Sequence, residues 1–486
     1  MRKAALFAPL VLAGCNLAPQ YRQPIAPVSD RFAGAAPAAS PAAAETRLAT
    51  DLGWSEFFGD PRLRALIDAA LTNNRDLAQS LARVAQARAQ YRIEASARLP
   101  QLDINGGYTK SRQPLGAIPL PGGLGSESAA VTLENWTTNV AVASFELDLW
   151  GRVRNLSEVA RAQYLGTVQG ARAYRLSLIS QVAAAYYTIL SGEERIALAE
   201  RTLAGREEGV TIARRRLDAG VTSTVDYDQT VLLATQARAD LAALQQQTGQ
   251  ARNLLDVLVG GPVAGTLPAA RPLADSRQFA RLDAGLPSAL LLNRPDILEA
   301  EYQLLAANAN IGAARAAFFP TISLTGQFGY VAPEVGDLFK ANTRTWSYGA
   351  NLSLPIFDWG RRRAQLRVSK AQADELAAAY QRAIQQAFRE VADALVGRQA
   401  LAQQIAAVEQ TVATQQRLAR TARQRYDQGL SIYLQVLDAE RSLFAAQQQL
   451  IDLRSTVLQN DVALYVALGG GQRVRAADPI PPSDTP

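Results

Sequence analysis

Two kinds of hydrophobic pattern alternate along the chain, and the order in which they alternate is given twice. Between Pro121 and Pro262, and again between Pro355 and Pro479, no proline interrupts stretches dense in Ala, Leu, Gln, Arg and Glu, all strong helix formers. Within them Arg152–Asp218 and Arg361–Gln428 predict helices of about 67 residues, roughly 100 Å long at the α-helical rise. Helices of that length point to coiled-coil-like packing. Gly220 and Gly429 stand where a left-handed residue ends a helix. Return helices are predicted over Val225–Val259 and Tyr433–Leu468. Ser223 or Thr224 can cap the first, with Asp226 and Asp228 in its first turn, where carboxylates favour the helix dipole. Ahead of each long helix the period changes to two. Leu102, Ile104, Gly106 and Tyr108 alternate with Gln101, Asp103 and Asn105, and Ile322, Leu324, Gly326, Phe328 and Tyr330 alternate with Thr321, Ser323, Thr325 and Gln327. Partner strands are predicted over Trp136–Leu147 and Trp346–Ile356. Strands of this length suit a tilted crossing of a bilayer, with Tyr and Trp near their ends as in an interfacial girdle. A soluble hairpin with one buried face gives the same alternation. Before each strand pair comes another helix. The first copy's runs about 30–40 residues from Asp60-Pro61, an N-cap and a proline at the first helical position. The second copy's starts near Pro287 or Pro295 and runs to Ala317.

The repetition is literal in places. Arg214-Arg215-Arg216-Leu217-Asp218-Ala219-Gly220-Val221 returns as Arg423-Gln424-Arg425-Tyr426-Asp427-Gln428-Gly429-Leu430, and Trp150-Gly151-Arg152 returns as Trp359-Gly360-Arg361, both 209 positions on. Leu99-Pro100-Gln101-Leu102 resembles Phe319-Pro320-Thr321-Ile322, 220 positions on. The first copy therefore carries about eleven extra residues between these landmarks, and the Gly/Pro-rich run Pro114–Gly125 is where they fit. The expected organisation is a first repeat over 51–259, a connector over 260–286, a second repeat over 287–468 and a flexible tail over 469–486.

Composition narrows the chemistry. The 486 residues include no histidine, one cysteine and one methionine. Histidine-based acid–base catalysis and histidine-ligated metals are excluded, and so are intramolecular disulfides and thiolate clusters. No cofactor, metal or catalytic centre is expected, and Gly122-Gly123-Leu124-Gly125 reads as a loop tip. The net charge of +6 is spread along the chain, leaving no nucleic-acid footprint. Arg2 and Lys3 precede an apolar run over Ala4–Leu12, too short to span a bilayer, so residues 1–14 read as a secretory signal peptide. The run closes on Leu12-Ala13-Gly14-Cys15, which resembles the lipobox of bacterial lipoproteins. An ordinary small-residue cleavage site with an incidental cysteine is the alternative. The resemblance implies acylation of Cys15, palmitate included, and stable anchoring to outer-membrane lipid by two or more chains. Asn16, where an aspartate would signal retention at the inner membrane, points to the outer membrane. Residues 15–50, rich in Pro, Ala and Ser, are expected to form a tether without a core of its own.

Four candidate strands cannot close a membrane sheet alone. Open edges do not face hydrocarbon, and barrels begin at about eight strands. Closure requires several chains, and the long helices need neighbours for the same reason.

The duplicated order of helix, strand pair, long helix, glycine turn and return helix resembles the TolC-type outer-membrane efflux protein family. With the lipobox, the Trp-Gly-Arg pair and Asn293-Arg294-Pro295-Asp296, it is similar to the NodT-type lipoprotein branch. The resemblance implies a mainly α chain with membrane β, four strands contributing to a trimeric twelve-stranded barrel continued by a long α-helical periplasmic barrel. It implies a homotrimer, a periplasmic adaptor and an inner-membrane pump of the RND type as partners, and a passive exit duct as the function. Exit for type I protein secretion and a non-channel periplasmic scaffold are the alternatives. The resemblance also implies a periplasmic gate. A closing bond would join Asp226 to Tyr426. The constricting aspartates of the family fall on Gln435 and Asp438, and its second-tip arginine on Ser431. The tips Gly220, Val221, Thr222 and Ser223, with Gly429, Leu430 and Ser431, are the expected adaptor-docking segments.

Overall fold

The computed structural model describes residues 16–29, 47–114, 130–262, 266–275, 278–280, 282–283 and 293–471. The expected signal peptide over 1–14, the expected lipidation site Cys15, the expected surplus loop after Pro114, the expected start at Pro287 and the tail beyond Gly471 lie outside them. In chain order the strands are β1 (Arg47–Leu48), β2 (Asp103–Pro114), β3 (Ala130–Leu147), β4 (Leu282–Asp283), β5 (Thr321–Ala332) and β6 (Arg344–Ser353). The helices are α1 (Trp54–Phe57), α2 (Pro61–Asn73), α3 (Arg75–Ser96), α4 (Arg152–Asp218), α5 (Thr224–Val259), α6 (Pro295–Ala316), α7 (Arg361–Asp427) and α8 (Tyr433–Ala467). The two long helices, 67 residues each, take the predicted bounds to within a residue. The chain divides into two compact units, and each draws on both copies of the repeat.

The first unit comprises residues 1–24, 85–165 and 301–378. It holds a four-stranded antiparallel sheet in the order β2-β3-β5-β6. Ile104 lies opposite Val140, Val140 opposite Phe328, and Phe328 opposite Trp346. Residues directly opposite share a face, so an apolar ribbon crosses all four strands, and all four side chains are exposed. The other face carries Asn105 opposite Asn139, joined by a 3.3 Å side-chain bond, with Ser323 opposite Asn351 further along. One extra residue on β3 between Val142 and Phe145 makes a bulge against β5. The strand predicted to reach Ile356 stops at Ser353, because β6 is an edge and its last residues have no ladder partner.

The sheet-to-helix corner of the first copy is pinned. The Trp150 ring stacks on Phe319 with centroids 4.7 Å apart, and its indole N–H donates to the Pro320 carbonyl at 2.8 Å. Residues 16–29 carry neither helix nor strand, and their first residues are seated against the helices. Asn155 donates to the Asn16 side chain at 3.1 Å, Arg315 to the Leu17 carbonyl at 3.1 Å, and Asn308 to the Pro19 carbonyl at 2.8 Å. Gly312 leaves room for this strap, since a Cβ there would stand 2.8 Å from Ala18.

The second unit comprises residues 25–84, 166–300 and 379–486. Its core gathers around a stack of rings: Phe57 lies 4.1 Å from Tyr465 and 4.9 Å from Phe279. Asp60 caps α2 as expected, accepting from the Arg62 amide at 2.8 Å, and its other oxygen accepts from the Tyr186 hydroxyl at 2.7 Å and the Arg271 amide at 3.0 Å. The predicted single first helix is broken. Asn74 leaves the helical region, accepts from the Leu77 amide at 2.8 Å as the cap of α3, and donates to the Leu258 carbonyl at 2.8 Å. Two tertiary and capping bonds at one side chain outweigh the continuing helical pattern. In the second copy the helix starts at Pro295. Beside it the buried Arg294 guanidinium is held by Asp296, Glu390 and the Ala467 carbonyl. A cavity of about 400 Å³ lies between residues 273–282 and helices α7 and α8. Asp461 lines it, and burial raises its carboxyl above the ordinary aspartate range despite Arg398 nearby.

Candidate functional site: the helix-hairpin tips

Both long helices end by the same backbone device. Gly220 has φ 70°, its amide donates to the Leu217 carbonyl at 2.9 Å, and the Val221 amide reaches Arg216 at 2.9 Å. Gly429 has φ 74°, with its amide on Tyr426 at 2.9 Å and the Leu430 amide on Arg425 at 2.8 Å. These paired bonds satisfy the last carbonyls of a helix and need a residue that tolerates positive φ.

The starts of the return helices differ. At the first tip Ser223 caps α5 in a reciprocal box: its hydroxyl accepts from the Asp226 amide at 3.1 Å. The Asp226 carboxylate in turn accepts from the Ser223 amide at 3.4 Å, the Ser223 hydroxyl at 2.9 Å and the Thr222 hydroxyl at 3.0 Å. Those bonds hold the Asp226 pKa below the ordinary aspartate value. At the second tip the equivalent N-cap is Ile432, with no side-chain cap, and the Ser431 hydroxyl oxygen is buried without a partner.

The expected bond between Asp226 and Tyr426 does not form within the chain. The third helical position turns the Asp226 carboxylate back onto its own amides, and the Tyr426 hydroxyl is taken by Arg216. The Arg216 guanidinium also lies over the Tyr426 ring, 5.1 Å from its centroid, and Tyr426 packs on Tyr433 at 4.9 Å. Ser431 stands where the resemblance expects an arginine, and the cation beside Tyr426 is Arg216 of the first hairpin. Arg216 escapes sequence reasoning because three consecutive arginines at a helix end look alike until the fold picks one. Gln435 and Asp438 are both exposed. Asp438 is paired with Arg441 at 2.7 Å, a partner that spacing along one helix makes legible. Val221, Leu430 and Ile432 leave apolar side chains exposed at the tips.

Among the described residues no group of three or more His, Cys, Asp or Glu side chains is arranged to hold a metal, and no helix is long and apolar enough to cross a membrane. The apolar sheet face is the part suited to hydrocarbon. A sheet with two open edges, one apolar face and long helices ending in capped hairpins defines a subunit of a channel that spans a bilayer by a shared barrel.

Comparison with known proteins agrees. The outer membrane efflux protein family matches over residues 66–261 and 286–470, and the chain belongs to that family. It is 40% identical to the cation efflux system protein CusC of Escherichia coli over 95% of this chain and 97% of that one. It is also 40% identical to the toluene efflux pump outer membrane protein TtgC of Pseudomonas putida, over 95% and 93%. Among solved structures, the open-state MtrE outer membrane channel of Neisseria gonorrhoeae superposes with a TM-score of 0.83 at 39% identity, covering 94% and 99%. A CusC structure gives 0.80 at 37%, covering 94% and 100%. The protein is therefore an outer-membrane channel of tripartite efflux, with the fold of the trimeric channels in which β-barrel and helical barrel are continuous.

Proposed function

We propose that the hairpin tips are the periplasmic gate and the adaptor-docking end of a passive exit duct for small molecules, served by an RND-type inner-membrane pump. The observation that carries the gate is the Arg216–Tyr426 contact, which joins the two hairpins of one chain next to both turns. A cation–π contact at an exposed site contributes about 0.5–1 kcal/mol. Three such contacts make a closure that a docking partner can undo. Asp226 serves this gate indirectly, by fixing the first tip. Val221, Thr222 and Ser223 on the first tip, and Leu430 and Ser431 on the second, form the docking surface, with Gly220 and Gly429 as the hinges of its shape. Asp438 with Arg441 replaces a bare acidic ring, and Gln435 adds an amide. The entrance is therefore a weak filter for cations. The chain has neither histidine nor an internal methionine, so its wall carries few ligands for a soft metal ion. This favours a duct whose pump selects the cargo, and it requires no enzyme activity of the channel. We further propose that Cys15 carries the lipid anchor.

Single-channel conductance in planar bilayers tests the gate. Arg216→Ala and Tyr426→Phe should each raise it, and Asp226→Ala should raise it less. Wild-type conductance in folded trimers of Arg216→Ala would sink the latch. Asp438→Asn should leave block by multivalent cations from the periplasmic side only slightly weaker, because Arg441 already offsets the charge.

A further inference from the structure

The two copies of the repeat differ most where they should be alike. In the first copy Trp150 is bolted to the corner that opens the second copy's sheet, stacked on Phe319 and bonded to the Pro320 carbonyl. Its counterpart Trp359 is 91% exposed. It touches only Phe357, edge-on at 4.7 Å among the ring contacts of the described residues. It is also the one non-glycine residue among them with positive φ, at 55°, a conformation that is a genuine outlier for a bulky side chain. An indole with its N–H unused, on a backbone that L-residues avoid, has a geometry waiting for a partner.

The repeat says what that partner is. Pro320 is matched by Pro100, and Phe319 by Leu99, 220 positions earlier. Leu99 is 72% exposed. Within the chain one of the two corners receives a tryptophan: Trp150 comes before the Phe319-Pro320 corner it pins. Trp359 is followed by no further corner in its own chain, and the corner at Leu99-Pro100 is preceded by no tryptophan of the repeat. The sheet leaves the same two ends open, β6 at one edge and β2 at the other.

We infer that Trp359 of one chain docks on the Leu99-Pro100 corner of the next, stacking on Leu99 and donating its indole N–H to the Pro100 carbonyl. The inference rests on the chain assembling as a ring, and adds which residues bolt one chain to the next. The same transfer sets the register of the joined edges. Phe145 opposes Leu324 and Leu147 opposes Ile322 inside the chain. The matching positions place Leu354 opposite Ile104 and Ile356 opposite Leu102 across the boundary. Ile356 is 93% exposed in the single chain, and the pairing extends β6 past Ser353 to where the sequence pattern ends it.

The test puts a photo-reactive benzoylphenylalanine in place of Trp359 in the full-length protein in outer membranes. Trimers mixed from isotopically heavy and light chains are irradiated, and the linked peptides are identified by mass spectrometry. The expected product is a heavy–light peptide pair joining residue 359 to the segment around residues 97–103. The same probe at Tyr348, on the apolar sheet face, should link to lipid instead. A residue-359 probe that links mainly to lipid, or to its own chain, overturns the inference and makes Trp359 an ordinary interfacial aromatic. Chemical cross-linking of the same sample counts the chains separately, so a trimer with wrong residue-359 links refutes the bolt alone, and absence of a trimer refutes the ring beneath it. As a second measurement, Trp359→Phe, which keeps the ring but not the donor, should lower the temperature at which the trimer falls apart in detergent. Trp359→Ala should lower it further. Both should leave the helical content of the chain unchanged, and unaltered trimer dissociation in Trp359→Ala would also count against the bolt.

Discussion

Ser223 and Ile432 occupy the same place in the two repeats, and only the serine has an oxygen to offer the amides behind it. Removing a serine cap costs about 1 kcal/mol, so Ser223→Ala should speed hydrogen exchange of the amides at the start of α5. The reverse change has a clear site. Ile432→Ser places a serine three residues before Gln435, which completes a capping box. It should slow exchange at the start of α8 and, if the second tip moves when the duct opens, lower the open probability in bilayers. Asp226 adds a pH dependence whose sign follows from its depressed pKa. Its contribution is fully present above the ordinary aspartate value of about 3.9. It fades as pH falls from there through the lower folded value. After correction for the intrinsic rate, protection at the first tip should therefore fall below about pH 4, whereas Asp226→Asn should show no such fall. At this scale the sequence was legible where a residue acts on its own helix. Ser223, Asp226, Gly220, Gly429 and Asp60 were all readable from spacing and residue type. Tyr426 was named through the resemblance, but its partner Arg216 was not legible, because 210 positions separate the two and only tertiary structure brings that arginine to that ring.

Long prolineless runs of helix formers fix their own limits, and α4 and α7 ended where a glycine allowed them to. Where two helices must approach closely the pattern carries less. Gly192 sits on α4 with the buried Thr248 hydroxyl so close that a Cβ would come within 2.3 Å of it, while Gly205 on the same helix has nothing within 4 Å. The same substitution should therefore act in opposite directions. Gly192→Ala should destabilise by roughly 1–3 kcal/mol through overpacking, and Gly205→Ala should stabilise by about 0.5–1 kcal/mol through helix propensity. Thermal unfolding in detergent reads both. A sequence cannot rank these glycines, since both stand in equally good helical stretches. The break at Asn74 was hidden for a related reason. Leu77 and Val84 continue the apolar spacing, and only the Leu258 carbonyl, supplied by α5, explains why the chain interrupts it. Asp461 belongs to the same class of feature. Its carboxyl is raised because desolvation outweighs the attraction of Arg398. The charged form therefore works against the fold, and Asp461→Asn should raise the unfolding temperature more at neutral pH than below about pH 4.

As a whole the chain leaves its apolar sheet face and both sheet edges unfinished, so its stability is completed by its neighbours. The seated strap that begins at Asn16 is the exception, because it finishes a surface within the chain. Gly312→Leu should expel it, and limited proteolysis should then cut residues 16–29 faster than in the unaltered protein. The fold class was readable because duplication repeats every weak signal, so that a strand pattern ambiguous by itself gained meaning from recurring before the same long helix. The bulge between Val142 and Phe145 has a consequence for symmetry. In the inferred docking of Trp359 the seam between chains is built from parts that match the β3–β5 seam, so the angle at β3–β5 bears on the angle at which one chain meets the next. The bulge helps to set that angle, since an extra residue bends and twists its strand. Each protomer thus carries an internal protractor, and deleting Ala143 should flatten the bend of β3 against β5.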